Sequence, residues 1–256
     1  MSRLADVTDA SATVLRNARA HEIRYPAAAL AYYAFVSLLP LALLVLAAIG
    51  EELAAAFVDL TPPFLTSEAQ GLVYDSLTAA RGRTGASLLA VVVLLWGGFN
   101  VVVAFTTSLS RIEGVERPRS IRRRLWDGTV VLGALVSAVV VIAIVTALPA
   151  FLPALLAPIV LASVLLVASL TAVFVPLYLV PSAVVTTPTE ALPGAIVAAV
   201  GWTLLQTVLR VYAISAGEYA LYGVLGGIIL VLTGLYLAAI VLVLGAIVNA
   251  IVVGEP

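Results

Sequence analysis

Residues 27–49 read AAALAYYAFVSLLPLALLVLAAI, a run without a charged side chain and long enough for a helix to cross the hydrocarbon core of a bilayer. Within it Tyr33, Ser37 and Pro40 fall at i, i+4 and i+7, so one helical face is polar and interrupted. Pro40 has no N–H for the carbonyl of Val36, which leaves that acceptor to a hydroxyl, a water or a neighbouring helix. Lipid satisfies none of these groups. The polar face is therefore expected to look into protein or water.

The rest of the chain extends the pattern. Of 256 residues, 63% are hydrophobic and 11% charged, whereas a soluble domain averages about 25% charged. With a mean hydropathy of +1.18, so much apolar surface calls for a lipid cover. Five further apolar stretches read as spans at about 86–109, 128–150, 159–180, 192–212 and 224–253. The expected fold is all-α, a polytopic bundle of six transmembrane helices forming one domain over 27–253, preceded by a cytoplasmic amphipathic segment over 1–26. The last span would be about 45 Å long at 1.5 Å per residue. That exceeds the hydrocarbon thickness, so it is expected to tilt, to kink near Gly226 and Gly227, or to protrude. Between the first two spans, 51–85 is acidic and broken by Pro62 and Pro63. Ala69, Leu72, Val73, Leu77 and Ala80 recur there at helical spacing, which predicts an amphipathic helix lying on the outer membrane surface or capping the bundle.

The net charge of −1 says little, but its distribution says more. Every basic residue is arginine, and Arg3, Arg16, Arg19 and Arg24 precede the first span. Six more lie in RIEGVERPRSIRRRLWD, residues 111–127: Arg111, Arg117, Arg119, Arg122, Arg123 and Arg124. Short basic loops stay in the cytoplasm. The expectation is a multi-pass protein of the cell (plasma or inner) membrane with both termini cytoplasmic and only Arg81, Arg83 and Arg210 outside. The first residues carry charges throughout and no apolar core, so they do not read as a cleavable signal peptide. The arginines lack interleaved aromatics, and adjacency to two spans explains them, so nucleic acid is not an expected partner.

The inventory for covalent chemistry is thin. There is no cysteine, and His21 is the only histidine. No carboxylates sit at i, i+3 or i+4 inside a span, and there is no GxxxxGK[ST] loop for a nucleotide. Glu51 with Glu52 and Glu113 with Glu116 are the closest acidic pairs, and both read as solvated loop residues. A hydrolase acting on phosphodiesters needs activated water and charge stabilisation, usually from carboxylate-bound metals. The chain is expected to be no enzyme and to hold no catalytic residue, metal or cofactor.

Polar groups at membrane depth are the better candidates, because such residues face the interior of a bundle or a cavity. They are Tyr33, Ser37 and Pro40 in the first span, Asn100 in the second, Gln206 in the fifth and Asn249 in the sixth. For Tyr33, Ser37, Asn100, Gln206 and Asn249 the alternative is an interhelical hydrogen bond that merely holds the bundle together. Arg210, Glu218 and Tyr222 cluster around the last outer loop and form a candidate gate, with snorkelling of Arg210 to the headgroups as the plainer reading. In the last span Gly223, Gly227, Gly234, Ala238, Gly245 and Asn249 descend one face. Such a small-residue seam suits close helix packing or sliding.

ALAYYAFVSLLPLALLVLAAIG, together with YALYGVLGGIILVLTGLYLAAIVLVLGAIVNA near the end, resembles the YihY/BrkB family of membrane proteins. The likeness covers nearly the whole chain, including the arginine-rich loop. It implies a polytopic helical membrane protein of transport-like character, in a family that has also carried a ribonuclease BN label. Two departures stand out. The family's last helix ends in a GAELNA-like run where this chain reads GAIVNA, so Ile247 replaces an acid, and its usually basic inner loop here reads SAVVTTPTE. Taken together, the residues point to translocation of a lipid or small amphipathic molecule, not driven by ATP at this chain, with membrane lipids as partners. The alternative is a non-transporting scaffold that presents the arginine loop to a cytoplasmic partner.

Overall fold

The computed structural model describes residues 23–38, 40–41, 84–115, 120–147, 159–216 and 223–254. Six helices account for nearly all of them: α1 over residues 24–38, α2 Thr84–Ile112, α3 Ile121–Ala147, α4 Ile159–Leu179, α5 Pro188–Ala216 and α6 Gly223–Val253. No strand occurs among the described residues. Of the amphipathic segments expected over 1–26 and 51–85, residues 1–22 and 51–83 lie outside the described residues, as do the C-terminal part of the first span, Glu218 and Tyr222.

Four helices are long and apolar enough to cross a membrane, over Leu89–Ile112, Leu125–Val145, Pro188–Leu209 and Gly226–Val253, and a shorter apolar stretch runs over Ser163–Leu179. Between 22% and 28% of each long window is buried by protein. Most of these side chains therefore need an apolar environment that the protein does not supply. The chain is an integral membrane protein of several apolar helices.

One feature differs from the reading of the sequence. The basic stretch 110–127 is not all loop. α3 begins at Ile121, capped by Ser120, whose hydroxyl accepts from Arg123 N at 3.4 Å. Arg122, Arg123 and Trp126 thus stand on a helix. The last helix is α-helical from Gly223 to Val253, through Gly226 and Gly227.

The chain divides into two compact units. The first collects Val102–Leu204 and Ala238–Pro256, with Met1–Ala28; the second collects Ala29–Val101 and Leu205–Leu237. The division falls within α2, α5 and α6. In the first unit α3 packs on α4, and Leu170, Phe174, Leu177, Val131 and Val243 are almost wholly buried. α5 enters this unit through a capping box. Thr187 Oγ1 accepts from Glu190 N at 3.4 Å, and Glu190 Oε2 accepts from Thr186 N at 2.7 Å and Thr187 N at 3.2 Å. Pro188 occupies the first helical position, where no donor is missed.

Candidate functional site

Glu113 has the least expected setting. α2 ends in a Schellman motif: Gly114 at φ +64° donates to Arg111 O, and Val115 N donates to Ser110 O. Only a residue at ease in the left-handed region closes that turn, and the turn fixes Glu113 just ahead of it. Its side chain is 2% exposed. The carboxylate accepts from the Ser182 hydroxyl and, through Oε2, from Ala183 N at 2.8 Å. Ser182 Oγ in turn accepts from Val184 N at 3.1 Å and Val185 N at 2.8 Å, so its proton is directed at Glu113. The solvated-loop reading of Glu113 is therefore corrected. Its partners come from the turn after α4, 69 and 70 residues on, and they replace the water it would otherwise keep.

Two further bonds tie helices together in this unit. The buried Tyr178 hydroxyl on α4 donates to Leu242 O on α6 at 2.8 Å. Asn249 Oδ1 on α6 accepts from Gly194 N on α5 at 2.6 Å. Close approach makes both possible. A Cβ on Gly245 would strike the Tyr178 hydroxyl and stand 2.7 Å from Gly194 O, and one on Gly194 would stand 2.6 Å from Asn249 Nδ2. The lower part of the small-residue seam is thus occupied by α4 and α5. Asn249 is 1% exposed, and its Nδ2 has no partner among the described residues. Ile247, where the resembling family carries an acid, is 1% exposed and apolar. α2, α4, α5 and α6 are cross-braced here by side-chain hydrogen bonds.

The second unit holds the polar face of α1. Ser37 Oγ donates to Tyr33 O at 2.8 Å, one turn back on its own helix. It lies against Gly97 of α2, where an added Cβ would meet the hydroxyl, with Ser37 Cβ at 3.3 Å and Tyr33 O at 3.4 Å. The Tyr33 ring stands edge-on to Trp96 at 5.5 Å, and Asn100 Nδ2 donates to Trp96 O at 2.7 Å, again within its own helix. Tyr33, Ser37, Trp96, Gly97 and Asn100 are therefore brought together. Their side-chain hydrogen bonds stay within α1 or within α2, and none joins the two helices among the described residues. Gln206 is half-buried on α5 and Pro40, helical and two residues past α1, is buried, while Asn249 belongs to the other unit.

At the start of α3 the first unit carries an open groove in two parts, of about 480 and 410 Å³, which share Arg123 and Trp126. Arg122 and Arg123 are exposed, and Arg123 Nε lies 3.6 Å from Asp127 Oδ1. Asp127 itself is 1% exposed. Arg111 is exposed at the end of α2, whereas Arg117 and Arg119 and the side chains of Arg124 and Arg210 lie outside the described residues. Among the described residues no cluster of three or more potential metal ligands occurs.

The sequence marks Ser37, Asn100, Asn249 and the glycine seam as polar or small positions at membrane depth, and gives no sign of the bonds made by Glu113, Tyr178 and Gly194. Pro176, two residues before Tyr178 within α4, and Pro193, beside Gly194 within α5, are the local sequence signals near these positions.

The model of the Virulence factor BrkB family matches residues 14–255. No curated protein and no solved structure matches the chain. The chain belongs to the Virulence factor BrkB family.

Proposed function

We propose that this BrkB-family membrane protein is a non-enzymatic translocator of a lipid or small amphipathic molecule. In this reading six spans cross the plasma or inner membrane, with both termini and the arginine-rich segment in the cytoplasm. One observation carries the reading: the polar contact of α1 on α2 is built so that it can part. Ser37 and Asn100 are satisfied inside their own helices, and Gly97 offers Ser37 a smooth seat. Among the described residues, separating these two helices breaks no side-chain hydrogen bond between them. It opens a face with a hydroxyl, a phenol and an amide in an otherwise apolar surface. The first unit is the opposite case, since Tyr178, Asn249 and Glu113 each bond across elements. A contact free to open beside a polar lining is what passage of a headgroup through a membrane requires.

The test is a leaflet assay. Purified protein is reconstituted into liposomes containing a fluorescent phospholipid, and dithionite is added outside. Translocation gives bleaching well past the outer-leaflet fraction, and Ser37→Leu, which fills the seat on Gly97 and removes the hydroxyl, slows it. Bleaching that halts at the outer leaflet in the wild-type protein refutes passive lipid movement. Loss of cellular function on replacing the arginines, with none on replacing Ser37 or Asn100, would instead select the scaffold reading.

A further inference from the structure

The groove at the start of α3 has no role in the proposed path. We infer that it is a binding site for the phosphodiester headgroup of an anionic phospholipid, whose acyl chains lie along α3. Positions 122, 126, 129, 136 and 140 share one side of the helix at 100° per residue. They carry Arg122, Trp126, Thr129, Val136 and Val140. Arg122 is exposed, as are Trp126 at 61%, Val136 at 63% and Val140 at 49%. One strip thus runs from cation through indole and hydroxyl to bare aliphatic surface. That is the order of groups along a phospholipid from phosphate through glycerol ester to chain. Tryptophan favours the boundary between headgroups and hydrocarbon, which fixes the depth of Arg122 at phosphate level.

Charge selects an anionic headgroup. Among the described residues Arg122 has no ion pair, and those that line the groove include no exposed carboxylate. Arg123, on the other wall with Ser182 and Thr186, faces the buried Asp127, which holds its Nε side and leaves the exposed guanidinium turned to the groove. A zwitterionic headgroup would bring its own cation against these arginines. The site is independent of translocation, so it stands or falls separately from the proposed function.

The chain has three tryptophans, and in a Trp96→Phe/Trp202→Phe background Trp126 alone reports. Full-length protein is reconstituted in phosphatidylcholine with small fractions of either phosphatidylglycerol or phosphatidylcholine brominated high on the chain, and quenching of Trp126 is followed. One arginine near an anionic surface is worth about fivefold in local lipid concentration. Brominated phosphatidylglycerol should therefore quench at about one-fifth the mole fraction that brominated phosphatidylcholine needs. Arg122→Gln/Arg123→Gln should abolish the preference, and Arg111→Gln should leave it. Equal quenching by the two lipids, or a preference surviving the double substitution, would overturn the inference. So would loss of the preference to millimolar inorganic phosphate, which would make a free anion the occupant.

Discussion

Replacing Glu113 tests whether the turn after α2 is held by the turn after α4. Glu113→Ala removes two acceptors at once. Ser182, 8% exposed, keeps its proton pointed at the vacated space, because both Val184 N and Val185 N hold its oxygen from the other side. A buried donor left without an acceptor costs about 1–3 kcal/mol. Ala183 N is half-buried and recovers part of its loss from water, so it adds about 1 kcal/mol. The sum is about 2–4 kcal/mol. At about 2–4 °C per kcal/mol for a chain of this size, the unfolding midpoint should fall by about 4–16 °C. Glu113→Gln keeps the shape but turns one donor against another, so its loss should be smaller, about 1–3 kcal/mol. Thermal unfolding of the detergent-solubilised protein, followed by tryptophan emission, reads both. Adding Ser182→Ala to Glu113→Gln should cost less than the two single losses together, by about 0.5–3 kcal/mol of coupling. A Glu113→Ala protein that melts with the wild type would show that water serves these groups as well as the carboxylate does, and the cross-bracing account would fail.

Other substitutions follow from the same geometry. Gly245→Ala drives a methyl into the Tyr178 hydroxyl and Gly194 O, and should cost about 1–3 kcal/mol in the same melt. Gly234→Ala, whose Cβ meets only the Leu209 side chain at 3.2 Å, should cost less. Asn249→Ala leaves Gly194 N without Oδ1 and should destabilise by about 1–3 kcal/mol, where Val136→Ala at an exposed position should change almost nothing. Thr187→Ala removes the cap of α5 at an exposed position. A loss of about 1 kcal/mol is expected, read as earlier proteolysis of the 181–190 turn.

The chain's hydrophobic runs marked its helices because lipid makes no allowance for polar interruption: α4 spans Ile159–Leu179 and α6 Gly223–Val253, against expected limits of 159–180 and 224–253. Polar breaks in those runs marked Ser37, Asn100 and Asn249 for the same reason. Glu113 was not legible, since in a stretch rich in arginine a carboxylate looks solvated, and the donors that bury it are 69 and 70 residues away. Nor was Tyr178, whose acceptor is a backbone carbonyl of another helix and leaves no trace in composition. The start of α3 was hidden by charge: hydropathy ends a span at Asp127, but arginine and leucine are good helix formers, and Ser120 caps them.

On the proposed function α1 parts from α2 whenever the protein works, and the chain's lack of cysteine makes this directly testable. Ser37→Cys/Gly97→Cys places two thiols where the Cβ atoms would stand 3.3 Å apart, close to the separation of about 3.5–4.5 Å that a disulfide spans. Reconstituted with fluorescent phospholipid, the oxidised protein should leave the inner leaflet unbleached, and reduction should restore bleaching to the rate of the reduced control. Equal bleaching by the locked and the reduced protein would contradict the account, because lipid would then be crossing while α1 and α2 stay joined.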